Sequence, residues 1–262
     1  MAYSTIRFSV AEGIARLQLD RPGAANAING ALASELFDAA TRLRWDNSVR
    51  VVLLTAAGKV FCGGGDIGEF GAWGEDLPEQ VARVTHDLHG ALTAFAAMDA
   101  PLVAAVGGSA GGAGLSLVAA ADLVVASTRA KFTMAYTGVG LTPDAGSSFY
   151  LARAVGLRRA TELVLTNRVL SASEAEAWGL VNRVVDEDAL ESTCEELVAS
   201  LASGPTRAYG AARRVLARGA SSDLAAALAL ESETIAATAS TTDAREGVSA
   251  FVQRRPPRFE GR

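Results

Sequence analysis

Two loops almost without side chains constrain this chain more than any other feature. They are Phe61-Cys62-Gly63-Gly64-Gly65-Asp66-Ile67 and Gly107-Gly108-Ser109-Ala110-Gly111-Gly112-Ala113-Gly114. Each follows an apolar run of buried-strand length, at residues 50–55 and 102–106, and each leads toward a helical pattern. Such loops let a backbone approach a ligand closely, and N–H groups at a helix start point outward, unpaired and partly positive. Two of them aimed at one point would stabilise a developing oxyanion. The same glycines would equally serve tight strand–helix packing, and spacing alone leaves both readings open. A phosphate cradle is the third: Gly63-x-Gly65-x-x-Gly68 matches the dinucleotide fingerprint letter for letter. The preceding strand pattern ends near Thr55, too early for that tight turn, and neither loop carries a Walker lysine.

Around the loops the pattern is α/β. Residues 5–10 and 14–20 flank Ala11-Glu12-Gly13 as an opening hairpin, and Leu32, Leu36, Ala39, Ala40 and Leu43 recur at helical spacing after Asn29-Gly30. Val81, Val84, Leu88, Leu92 and Phe95 form a second helical stripe; residues 112–121 read as a helix and 123–126 as a strand. Beyond Pro143 helices dominate, at 147–155, 157–165, 173–178, 188–202, 206–217 and 223–240, with one strand at 180–185. A chain of 262 residues, half of them hydrophobic, suits one large domain or one domain with a small appendage. The net charge of −5 argues against nucleic acid and anionic membrane surfaces. Cys62 and Cys194 make no metal pattern and fit a reducing, cytoplasmic compartment. The N-terminus has no basic segment followed by an apolar one, so secretion is not expected. The uncharged stretch 100–121 is broken by Pro101 and five glycines, which suits a strand, a loop and a buried helix rather than a membrane span.

Several fragments recur in a recognisable order. They are Leu19-Asp20-Arg21-Pro22 with Asn26-Ala27-Ile28-Asn29, the run from Gly58 to Ile67, the run from Pro101 to Gly108, and Gly112-Ala113-Gly114. Asp122, Phe132, Gly140-Leu-Thr-Pro-Asp-Ala-Gly146, Leu165-Thr166 and Ala175-x-x-x-Gly179-Leu180-Val181 follow. Together they resemble the enoyl-CoA hydratase/isomerase (crotonase) superfamily over residues 5–259. The resemblance implies a crotonase-like spiral of ββα units at 1–190 and a helical C-terminal region at 191–262 that forms a homotrimer or hexamer. It implies an acyl-CoA thioester as substrate, with coenzyme A bound as part of that substrate and no other cofactor. It further implies an oxyanion hole of the Gly65 and Ala113 N–H groups, and substrate contacts along Ala25, Ala27, Gly63, Gly65, Asp66, Ile67 and Gly68. Alanine at 113, where many relatives carry glycine, leaves a backbone donor in place.

The side chains opposite the hole decide the chemistry. Hydratases of this family use two glutamates, and the matching positions here hold Ser116 and Tyr136, neither a competent base at neutral pH. The carboxylate that remains is Asp144, eight residues after Tyr136. Its structural alternative is an N-cap for the helix at 147–155. Resemblance to the double-bond isomerases implies a base at this place, and one carboxylate suffices to move a double bond. Ala135-Tyr136-x-x-x-Gly140, Asp144, and the runs 150–160, 165–168 and 178–181 also resemble 4-chlorobenzoyl-CoA dehalogenase. There an aspartate attacks the ring and a histidine activates water, which His89 matches in spacing; on residues alone it is a helix-surface histidine. A hydratase, a dehalogenase-like hydrolytic enzyme and a catalytically silent acyl-CoA-binding subunit are therefore the alternatives to an isomerase. Trp73 is a candidate for the acyl pocket, Cys62 reads as a packed thiol, and His86 with His89 lacks a third metal ligand. Arg254, Arg255 and Arg258 form either an exposed tail or a contact to CoA phosphates across a subunit boundary.

Overall fold

The computed structural model describes residues 3–262. The alternating pattern at the start becomes an antiparallel hairpin of β1 (Ile6–Ala11) and β2 (Ile14–Leu19), with Ile6 opposite Leu19 and Ala11 opposite Ile14. Glu12 and Gly13 both take positive φ, as a two-residue hairpin turn of the right twist demands. Asn29 caps α1 (Gly30–Trp45) by accepting from the Leu32 N–H at 3.0 Å, and Leu32, Leu36, Ala39, Ala40 and Leu43 are buried on one face.

The chain then repeats one plan three times: a strand in a large sheet, a short strand in a second sheet, then helix. The first unit is β3 (Val51–Ala56), β4 (Val60–Cys62), α2 (Ile67–Ala72) and α3 (Leu77–Ala97). The second is β5 (Leu102–Val106), β6 (Ser109–Gly111) and α4 (Ala113–Ala120); the third is β7 (Leu123–Ser127), β8 (Lys131–Thr133), a 3-10 turn at Tyr136–Val139, α5 (Ser147–Val155) and α6 (Leu157–Thr166). A short β9 (Leu170–Ser171), α7 (Ala172–Ala177) and β10 (Arg183–Val185) complete the sheets. Their orders are β1-β2-β3-β5-β7-β10 and β4-β6-β8-β9. All neighbours run parallel except β1 with β2 and β8 with β9. This is the ββα spiral. The strands β4, β6 and β8 lie where the sequence reads as loop, because three residues are too few to show a period-two signal, and β6 is made of Ser, Ala and Gly alone.

The large sheet is covered on both faces, as parallel strands require. Val52, Leu54, Ala104 and Val106 face the main core, while Val51, Leu53, Val103 and Ala105 face α8 (Leu190–Ala202) through its Cys194 and Val198. The division expected at 190/191 therefore meets a helix that packs on the sheet, and α9 (Thr206–Gly219), α10 (Leu224–Ala239) and α11 (Thr242–Val252) extend beyond it. Arg213 anchors α9: it pairs with Asp122 at 2.6 Å and donates to the carbonyls of Met98 and Ala100. Helix α10 buries none of its residues, and Leu216, Leu224, Leu228, Ile235, Val248 and Phe251 stand exposed on these three helices. In the tail, Arg255 pairs with Glu246, whose carboxylate also accepts from the Arg258 N–H. Among the described residues no helix is long and apolar enough to cross a membrane.

Candidate active site

The first glycine loop is held by a single parallel bridge between Ile28 and Gly65. Ile28 donates to the Gly64 carbonyl at 2.7 Å and accepts from the Asp66 N–H at 2.9 Å. In a parallel bridge the central residue's own N–H points to the opposite side, so the Gly65 N–H faces away from Ile28. Ala113 opens α4, where the first N–H groups have no partner within the helix. Neither N–H has a protein acceptor among the described residues. Both residues line one cavity of about 310 Å³. The packing role of the glycines also holds, at Gly65 itself and at Gly114. A Cβ on Gly114 would lie 2.4 Å from the Cys62 carbonyl oxygen, and one on Gly65 would lie 2.8 Å from the Phe70 ring.

The segment before this loop is stitched to it. Arg21 pairs with Asp66 at 3.0 Å and donates to the Ala27 carbonyl; the Gly63 N–H donates to the Ala25 carbonyl at 2.9 Å. Buried Asn26 donates to the carbonyls of Ala57 and Val60, both at 2.8 Å, and accepts from the Arg21 N–H. Asp66 also caps α2 through the Glu69 N–H at 3.2 Å. Of the expected substrate-contact residues, Gly63, Gly65 and Ile67 line the cavity. Ala25, Ala27 and Asp66 support the loop through carbonyls, ion pair and cap, and Gly68 follows exposed on α2.

Asp144 lines the same cavity, with Thr85 and Tyr136. It does not cap α5: the residue in that position is Gly146, and no side chain accepts there. Instead Asp144 Oδ1 accepts from the Tyr136 hydroxyl, and Oδ2 lies 3.4 Å from Thr85 Oγ1. Burial, with the Asp144 charge adding to it, pushes the Tyr136 phenol far above its ordinary value, so it stays protonated and donates. Ser116 is fully buried behind Tyr136, its Oγ 3.2 Å from the Tyr136 hydroxyl. The turn Asp144-Ala145-Gly146 carries φ of +49° and +72° at its last two residues. It is held from α3 by His89, whose Nε2 accepts from the Ala145 N–H at 3.0 Å. That bond assigns His89 as neutral with its proton on Nδ1, and it commits the Nε2 lone pair to the backbone.

Two expectations are corrected. Trp73 does not line the cavity; Phe70 does, and Trp73 stacks behind it at 4.7 Å between centroids. Ser116 also sits outside the cavity wall. Thr85 was invisible in the sequence as a site residue, although its neighbours Val81, Val84 and Leu88 in the α3 stripe announce an apolar wall. Burial pushes the Cys62 thiol up to about 12, which excludes it as a nucleophile. Among the described residues no three His, Cys, Asp or Glu side chains are grouped to hold a metal ion.

Comparison with known proteins agrees with this architecture. The family model described as enoyl-CoA hydratase/isomerase matches residues 9–262. The chain is 40% identical, over the whole of both sequences, to a probable enoyl-CoA hydratase of Rhodobacter capsulatus. It is 34% identical to the 1,2-epoxyphenylacetyl-CoA isomerase of Escherichia coli over 97% of each chain. The crystal structure of an enoyl-CoA hydratase from Mycobacterium smegmatis superposes with a TM-score of 0.90 at 34% identity, covering 98% of this chain and 99% of that one. With two unpaired backbone donors at the tips of a ββα spiral, and relatives matched from end to end, the chain belongs to the enoyl-CoA hydratase/isomerase family.

Proposed function

We propose that the protein is an enoyl-CoA isomerase that moves a β,γ double bond into conjugation with a CoA thioester. The observation that carries this reading is one carboxylate, Asp144, in the same cavity as the unpaired Gly65 and Ala113 N–H groups. Asp144 removes a proton from C2 while electron density moves onto the thioester oxygen, which the two N–H groups stabilise. The same carboxyl then returns the proton to C4, and the double bond comes to lie between C2 and C3. Mass and redox state are unchanged, so the chemistry asks for no cofactor beyond the CoA carried by the substrate. Syn hydration asks for a second carboxylate to position water, and Ser116 and Tyr136 supply none. The apolar wall of Ile28, Phe70, Val84, Leu88 and Leu141 suits the acyl group, and the Escherichia coli relative is named an isomerase of a CoA thioester, though of an epoxide rather than an alkene.

A panel of CoA thioesters followed by mass and ultraviolet absorbance tests the reading. Isomerisation leaves the mass unchanged and raises absorbance as conjugation develops. Addition of water to a trans-2-enoyl thioester, exchange of halide for hydroxyl on a halobenzoyl thioester, or no turnover on any member would each overturn it. The dehalogenase outcome would also require His89 to release the Ala145 N–H and free its Nε2.

A further inference from the structure

We propose that Tyr136 is a positioning residue that decides which oxygen of Asp144 carries the mobile proton, holding Oδ1 and leaving Oδ2 to react. This rests on the isomerase reading above. The polar groups of the site form one chain, Ser116 to Tyr136 to Asp144 to Thr85. Counting hydrogens gives the chain a direction. A phenol has one proton and an ionised carboxylate has none, so Tyr136 donates to Oδ1. The Ser116 hydroxyl, 3.2 Å from the Tyr136 oxygen and 3.3 Å from the Gly112 carbonyl, then donates to one of these and receives nothing from Tyr136.

Oδ2 is treated differently. Its partner is Thr85 Oγ1 at 3.4 Å, beyond the range of a strong hydrogen bond. The oxygen with the weaker donor is the more basic one, because a hydrogen bond to the charged form stabilises it. In the forward half-reaction C2–H breaks and Oδ2–H forms; in the second, Oδ2–H breaks and C4–H forms. Tyr136 keeps its own proton throughout, and the carboxyl has no need to rotate between the two transfers.

Both partners of this contact are anchored independently. Tyr136 opens the Tyr136–Val139 turn, which Thr137 ties to α6 by donating to the Val164 carbonyl at 2.6 Å, while Asn167 Nδ2 donates to Thr137 Oγ1 at 2.8 Å. Asp144 is held from behind through Ala145 and His89. Asp144 and Tyr136 are the titratable side chains that line the cavity, with His89 behind them on α3.

The test is kcat and KM, measured separately, for the parent, Tyr136→Phe and Asp144→Asn. Tyr136→Phe is expected to lower kcat about tenfold and keep KM within about twofold. The loss should fall on kcat alone, because the oxygen that reacts is no longer fixed while the substrate is still bound. A rise in KM that matches or exceeds the fall in kcat would mark mere structural damage and overturn the proposal, as would parent behaviour. If Asp144→Asn is inactive while Tyr136→Phe matches the parent, the positioning role fails and the isomerase reading stands. If Asp144→Asn runs at the parent rate, both fail. Should Tyr136→Phe not fold, Ser116→Ala serves: a smaller fall in kcat at unchanged KM supports the chain, and parent kinetics overturn it.

Discussion

At the scale of single residues, the two halves of the site differ in what they ask of the side chain. The donors at 65 and 113 are backbone groups, so Ala113→Gly is expected to stay active. Ala113→Pro removes the N–H and should cost about 2.7–4 kcal/mol of transition-state stabilisation, the usual scale for one lost oxyanion donor. Proline is compatible with the first turn of α4, where that N–H makes no intrahelical bond. Turnover on a β,γ-enoyl thioester, with circular dichroism of each variant, checks the pair. A Pro variant that folds and turns over at the parent rate would remove Ala113 from the hole. The acid side depends on side-chain chemistry instead, and there the sequence was only partly legible. Asp144 was visible because it is the carboxylate left in its neighbourhood. Its hydrogen bonds were not, because capping and pairing with Tyr136 are both compatible with the same eight-residue spacing. Trp73 was misjudged since a loop aromatic gives no sign of which of two stacked rings faces the cavity.

At the scale of elements, amphipathic helices and long strands were readable because each shows its own period, 3.6 or 2, over enough residues. The strands β4, β6 and β8 were not, and they are what turns the chain from one sheet into the next. The segment leading into the N-terminal hairpin is fastened to α1 chiefly by Glu35: both of its oxygens accept backbone and hydroxyl hydrogens from Ser4 and Thr5 at 2.6–2.8 Å, and the Tyr3 hydroxyl adds a bond to Asp38 at 2.6 Å. Burial works to raise the Glu35 carboxyl, but the hydrogen bonds from Thr5 and Ser4 outweigh it and lower it to about 2. The folded value lies below the unfolded one of 4.5, so this stabilisation is present above about pH 4.5 and is lost as pH falls toward 2. Thermal melts between pH 6 and pH 2.5 should therefore show a shallower acid loss for Glu35→Gln than for the parent, starting from a lower Tm at pH 6. Parallel curves would show that this carboxylate is not tied in solution.

At the scale of the whole molecule, the helices beyond the sheet expose more large apolar side chains than they cover. Phe251 is 86% exposed, Leu216 and Leu224 each 74%, and α10 has no buried residue to hold it as a free-standing appendage. Exposed apolar area of this kind marks an association surface. We expect a homotrimer or a dimer of trimers, and light scattering of a dilute sample checks it: a monomer mass would contradict the expectation. Fold and family were legible because many modest fragments fall in one order along nearly the whole chain. The reaction was less so, since relatives over the same length carry hydratase and isomerase names and the difference lies in a few side chains.

The central claim is that Asp144 removes and returns the proton, and one variant tests it most directly. Asp144→Asn keeps the size of the side chain and an oxygen to accept from Tyr136, but has no basic oxygen. Capping does not confuse the result, because Asp144 caps no helix and Asn would cap about as well. The measurement is the rate of isomerisation of a β,γ-enoyl thioester alongside the Kd of an unreactive CoA thioester. A loss of roughly 10²- to 10⁴-fold in rate with the Kd nearly unchanged is predicted; isomerisation at the parent's rate would contradict the account.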